Sequence, residues 1–142
     1  MSYTKSRKIF AVLLILYLGL VAYLCFGKFP NDTQIEPSFF GIPTDKIVHF
    51  CMFLPFPILA WGTFRGITKK PLHSLLLAIV LFITGCLIAA GTELGQGLTE
   101  YRAADAADFL ADGLGLAAGA ICALILDLRA AFRKQEPRIN TK

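Results

Sequence analysis

GTELGQGLTEYRAADAADFLAD, Gly91 to Asp112, is the stretch whose reading decides the fold. It gathers Glu93, Gln96, Glu100, Arg102, Asp105, Asp108 and Asp112 between two long apolar runs, Leu75 to Thr92 and Phe109 to Leu126. Solubility does not account for so much charge at such a junction. The runs therefore read as membrane-crossing helices, and the stretch as the polar connection between them. In helical conformation Asp105, Asp108 and Asp112 stand at i, i+3 and i+7. At about 100° per residue their carboxylates fall within roughly 60° of one another, which makes one acidic stripe. Glu93, Gln96 and Glu100 repeat the spacing, although Gly95 and Gly97 weaken a helix there.

Outward from that stretch, composition gives the same reading. The chain has 142 residues, 56% of them hydrophobic and 17% charged, with a mean hydropathy of +0.62. Soluble domains carry about 25% charged residues, so this is a membrane protein. Two further apolar runs, Ile9 to Phe26 and Ile47 to Phe64, complete a set of four. Each is close to the roughly 20 residues that cross a ~30 Å hydrocarbon core. The expected fold is all-α: a four-helix transmembrane bundle over residues 9–26, 47–64, 75–92 and 109–126, in a single membrane domain spanning 1–142.

The first run follows Lys5, Arg7 and Lys8, as in a secretory signal. Its core is longer than the usual ~7–15 residues, and Cys25-Phe26-Gly27-Lys28 has no small-x-small site, so it reads as a retained helix. Orientation follows from the basic residues. Lys5, Arg7, Lys8, Arg65, Lys69, Lys70 and the tail from Arg129 to Lys142 fall on one side, against Lys28, Lys46 and Arg102 on the other. The positive-inside rule then puts both termini in the cytoplasm, with 129–142 a basic cytoplasmic tail. Attraction to anionic lipid accounts for the net +4 charge, and no nucleic-acid partner is needed.

Cys25, Cys51, Cys86 and Cys122 fall one in each run, without the spacing of a metal site, and read as apolar thiols or as partners in disulfides between helices. The connection from Gly27 to Lys46 is broken by Pro30, Pro37, Gly41 and Pro43. It also holds Phe39, Phe40 and Ile42, which suit a surface-lying segment or a partial lid. Thr44 or Asp45 suits a helix cap. Pro55 and Pro57 should kink or break the second helix. Gly115 and Gly119 form a GxxxG, which serves close helix packing in the bundle or a homodimer.

Topology then draws separate residues together. Asp45, His49, Glu93, Gln96, Arg102, Asp105, Asp108 and Asp112 share the outer face, with Arg102 the expected counter-ion. Ionisable groups at a membrane boundary are costly unless they pair or line a wet cavity, so they mark a candidate polar pocket. An ion-pair network that ties helix ends together is the bland alternative.

At these positions the chain resembles the VanZ-like family of small bacterial membrane proteins. The resemblance rests on DKIVHFCMF, on ELGQ and on RAADAADFLADGLGLAAG, across about Pro43 to Ile121. The family pattern D-K-x-x-H, E-x-x-Q, then R, D, D, N, G and G meets Asp45, Lys46, His49, Glu93, Gln96, Arg102, Asp105, Asp108, Gly115 and Gly119. Asp112 stands where the pattern has Asn. The resemblance implies a multi-pass protein of the bacterial inner membrane and cell envelope, associated with resistance to the glycopeptide teicoplanin, and it implies no reaction.

Three functions fit these residues. The first is a binder of a membrane lipid, a lipid-linked cell-wall precursor or the glycopeptide itself. The second is an enzyme acting on a phospholipid or polyprenyl-linked substrate, in which one carboxylate kept protonated by neighbouring charge is the acid and an ionised one the base. With His49, the carboxylates Asp45, Glu93, Asp105, Asp108 and Asp112 would suit Mg²⁺, Mn²⁺ or Ca²⁺, although no compact motif such as HExxH accompanies them. The third is an ion-coupled transporter, for which the inner half lacks matching polar residues. No P-loop, GxSxG or dinucleotide fingerprint is present.

Overall fold

The computed structural model describes residues 3–28, 38–65, 70–99 and 104–135. The elements run α1 (Tyr3–Phe26), β1 (Ser38–Phe39), β2 (Ile42–Pro43), α2 (Thr44–Phe53), α3 (Pro55–Phe64), α4 (Pro71–Gln96) and α5 (Ala106–Gln135). Four segments are long and apolar enough to cross a membrane: Thr4–Phe26, Thr44–Phe64, Pro71–Gln96 and Ala106–Ala131. The molecule is the expected all-α four-helix bundle.

The second crossing is α2 and α3 end to end. Leu54 between them keeps helical dihedrals (φ −56°, ψ −41°). The ladder is interrupted because Pro55 and Pro57 have no N–H to offer the preceding turn. The break expected from those prolines is therefore a gap in hydrogen bonding, with no change in the local backbone region.

Helix ends differ from the apolar runs. Helix α4 starts at Pro71, within the first turn where a missing N–H costs nothing, and runs past Thr92 to Gln96. Gly95 does not break it. The Gln96 carbonyl accepts from Thr99 N–H (3.0 Å) and from Thr99 Oγ1 (2.8 Å), which ends the helix. Helix α5 continues beyond Leu126 to Gln135, so the first residues of the expected tail extend the last crossing. At the start of α2 the cap position belongs to Pro43, with no side-chain cap bond, and neither Thr44 nor Asp45 takes it.

Helix α5 packs against α4, α2 and α3, while α1 lies mainly on α3. Close approach is possible because α5 presents glycine to the backbone of the broken crossing. A Cβ on Gly115 would lie 2.3 Å from the Phe50 carbonyl oxygen, and one on Gly119 2.2 Å from that of Leu54. The Cα–H groups there point at those oxygens, contacts worth about 0.5–1 kcal/mol each. The GxxxG is thus used inside the chain. Val21, Cys25, Phe53, Phe56, Ala89 and Leu116 form the core below the α2 end, and Ala60, Trp61, Leu81 and Ala123 form a second cluster. Large apolar side chains such as Ile15, Leu16, Leu87 and Leu110 cover the outside, as lipid-facing positions require.

No disulfide joins the four cysteines; Cys25 is buried, and Cys51 and Cys122 are exposed. Strands β1 and β2 form a short antiparallel hairpin that pairs Ser38 with Pro43 and Phe39 with Ile42. Phe40 (φ 51°) and Gly41 (φ 79°) make its turn, the positive-φ pair of a two-residue hairpin. Phe39, Phe40 and Ile42 are exposed on it.

Candidate functional site

At one end of the bundle, the start of α2, the end of α4 and the start of α5 converge. His49 stands one turn into α2, Glu93 in the last turn of α4, and Asp108 and Asp112 in the first two turns of α5. His49, Glu93 and Asp112 are 5%, 6% and 0% exposed. Helix periodicity puts them there, because Asp108 and Asp112 lie four residues apart on one face of α5, turned toward α2.

The geometry is directional. His49 Nδ1 lies 2.9 Å from Asp112 Oδ1 and 4.0 Å from Glu93 Oε1, while His49 Nε2 lies 3.6 Å from Asp108 Oδ2. With Asp112 ionised, the ring nitrogen is the donor between them. One imidazole thus faces carboxylates on both edges. Glu93 Oε2 accepts the backbone N–H of Asp105 at 3.1 Å, which ties the end of α4 to the start of α5. Glu93 Oε1 and Asp112 Oδ2 are buried without a hydrogen-bond partner. An unsatisfied buried polar atom costs about 1–3 kcal/mol, more when charged, so these two oxygens require an explanation beyond packing.

Lys46 forms the roof. Its ammonium donates to Asp105 Oδ2 at 2.6 Å and to Asp108 Oδ1, and pairs with Asp45 Oδ2 at 3.0 Å. It links the start of α2 to the start of α5. Arg102, the expected counter-ion, lies with Glu100 outside the described residues. The signal for Lys46 was present, since it precedes His49 by three residues and so shares its helix face.

The other expected residues divide. The side chains of Asp45 and Asp105 are 58% and 49% exposed, so both sit on the rim. Asp105 is not on the helical stripe. It precedes α5, its Oδ1 accepts from Ala107 N–H at 2.8 Å, and its carbonyl accepts from the N–H groups of Asp108 and Phe109, so it caps the helix. The Lys46 ammonium first, and the Ala107 N–H second, hold the Asp105 carboxyl below its ordinary range. Gln96 is buried, but its Nε2 donates to the Cys25 carbonyl at 3.2 Å, tying α4 to the end of α1. Tyr17 likewise ties α1 to the second crossing by donating to the Met52 carbonyl.

His49, Glu93 and Asp112 can each offer one donor atom such that all three lie within 4.8 Å of one another, a spacing that would hold a cation. The same atoms could take protons from a bound molecule or hydrogen bonds from its donors. Among the described residues, Lys46 and the His49 imidazole stand between Asp45, Glu93, Asp105, Asp108 and Asp112, and these side chains together make a negative field.

A family model described as VanZ/LLP1 matches residues 10–127, a range that holds every residue of this cluster. No curated protein and no solved structure matches the chain.

Proposed function

Because the chain belongs to the VanZ/LLP1 family, we propose that it acts in the bacterial cell envelope as a single inner-membrane domain. In this reading its acidic end binds the polar group of a lipid, a lipid-linked wall precursor or a glycopeptide, and so changes susceptibility to teicoplanin. The cluster opens to the outside, and the termini, with the basic tail, are cytoplasmic. Support for that orientation comes from the basic residues Lys5, Arg7, Lys8, Arg65, Lys70 and Arg129, all at the far ends of their helices.

The observation that carries the reading is the burial of His49, Glu93 and Asp112 together, with two carboxylate oxygens left unpaired. Groups kept so for packing alone would be replaced at a gain by apolar ones. The negative field favours a group with hydrogen-bond donors or positive charge, such as an amine, over a bare phosphate. Cells expressing the wild-type chain should tolerate more teicoplanin than cells without it, and Glu93→Gln, Asp108→Asn and Asp45→Asn should lose that tolerance while still inserting into the membrane. Full tolerance in all three variants would end the reading.

A second reading has its own observation. The 2.9 Å contact between His49 Nδ1 and Asp112 Oδ1 is that of an imidazole oriented by a carboxylate, the arrangement of a general base. An enzyme acting on a phospholipid or polyprenyl-linked substrate would use it. Mass spectrometry of lipid extract incubated with the purified protein separates the two. A product that vanishes with His49→Ala favours catalysis, and lipid that co-purifies unchanged favours binding.

A further inference from the structure

We propose that His49, Glu93 and Asp112 hold one divalent first-row metal ion, Mn²⁺, at the acidic end of the bundle. The donors come from α2, α4 and α5, and one atom from each lies within 4.8 Å of the other two. With bonds of about 2.1 Å, neighbouring donors of an octahedral ion lie about 3 Å apart and opposite donors about 4.2 Å apart. The observed separations from Nδ1, 2.9 Å to Asp112 Oδ1 and 4.0 Å to Glu93 Oε1, fall at those two values.

Two features point independently to a ligand. Glu93 Oε1 and Asp112 Oδ2 are buried without hydrogen-bond partners, in residues 6% and 0% exposed. The second oxygen of Glu93 is already held by the Asp105 N–H, which fixes the carboxylate with its free oxygen toward the imidazole. The other edge of that imidazole faces Asp108 Oδ2 at 3.6 Å, and Lys46 clamps Asp108 from above. A histidine bound to a metal through one ring nitrogen generally has a carboxylate or carbonyl opposite the other, to orient the ring and raise its basicity. Asp108 is in that position. One imidazole with two carboxylates at these octahedral separations suits Mn²⁺ better than tetrahedral Zn²⁺, or than Mg²⁺, which avoids nitrogen and keeps its water. On binding, the ion takes the place of the proton between His49 and Asp112.

This goes beyond binding of a headgroup, since the ion would sit in the cluster whether or not an amphiphile follows. The test uses the full chain in detergent, stripped with chelator and titrated with MnCl₂ while electron paramagnetic resonance counts the free ion. The expected result is saturation at one ion per chain, with pulsed measurements showing coupling to an imidazole nitrogen. Glu93→Gln and Asp112→Asn should lose saturable binding, and Asp108→Asn should weaken it about 10–100-fold. Asp127→Asn, which removes a carboxylate near the other end, should leave it intact. Absence of saturable binding, absence of nitrogen coupling in the wild-type chain, or binding unchanged in Glu93→Gln and Asp112→Asn would each overturn the proposal. The nitrogen coupling needs no variant and so survives any that fail to fold. Lipid co-purification is read separately, so either conclusion can fall without the other.

Discussion

The two ends of the bundle spend their charged groups differently. At the far end, Arg7 Nε donates to the Thr63 carbonyl at 2.8 Å and Arg65 Nη2 to Ser6 Oγ at 2.7 Å. The Arg65 guanidinium also stands 5.6 Å from the ring centres of Phe10 and Trp61. These cations pin α1 to α3 through neutral acceptors and ring faces. At the acidic end, like charges are drawn together: Glu93 and Asp112 are buried, and Lys46 pairs with Asp45, Asp105 and Asp108. The first arrangement stitches helices at little electrostatic cost. The second raises a cost that helix stitching does not require, because Gly115 and Gly119 already hold α5 against the broken crossing by backbone contact.

If that division is right, the largest effect on folding comes from the glycines and not from the acids. Gly115→Leu would place its Cβ 2.3 Å from a carbonyl oxygen, which no rotamer relieves. Overpacking costs typically ~1–3 kcal/mol and more against backbone, so the variant should lose its thermal transition in detergent. A Gly115→Leu chain that melts like the wild type would break the comparison at its base.

Next comes a change that should remove function and spare the fold. Replacing His49 and Asp112 together by leucine removes a buried polar pair for apolar groups, a swap that is often neutral or stabilising by ~1–4 kcal/mol. Asp112→Leu alone should destabilise, since it strands the other partners. The double variant should melt at or above the wild-type temperature yet no longer raise teicoplanin tolerance. A melting point well below that of the wild type would mean that the pair is structural.

The far end should show the converse. Arg65→Ala removes a bond to Ser6 and two cation-π contacts, about 0.5–1 kcal/mol each where exposed. It should lower the melting temperature modestly and leave tolerance unchanged. Loss of tolerance at normal protein levels would show that the two ends are coupled.

What the residues disclosed before any coordinates follows the same division. The crossings were legible because lipid demands long apolar runs, and Ile9 to Phe26 or Leu75 to Thr92 have no other use. Their ends were not. A run is judged to stop at its first charge, whereas α4 continues through Glu93, whose carboxylate finds the Asp105 N–H. The acidic stripe was legible as spacing in Asp108 and Asp112. Asp105 departs from it because an aspartate just before a helix gains more as a cap than as a further turn. Lys46 shares a face with His49, but periodicity within α2 does not indicate that its ammonium reaches Asp105 and Asp108 on another segment; that follows only from how the helices pack.

The smallest effect tests whether the rim acids belong to the cluster or only roof it. Asp105→Asn keeps an oxygen for the Ala107 N–H, so the cap survives and only the charge facing Lys46 is lost. Since Lys46 holds the folded Asp105 carboxyl below its ordinary value, the stability it adds is fully present above an unfolded pKa of about 3.9 and disappears as pH falls through the lower folded value. The wild type should therefore melt slightly above Asp105→Asn at neutral pH, and the two should converge below about pH 4. High salt should also narrow the gap, because the pair is exposed. A gap that persists in both acid and salt would mean that Asp105 acts through the buried groups rather than through the lysine. The rim would then be part of the site.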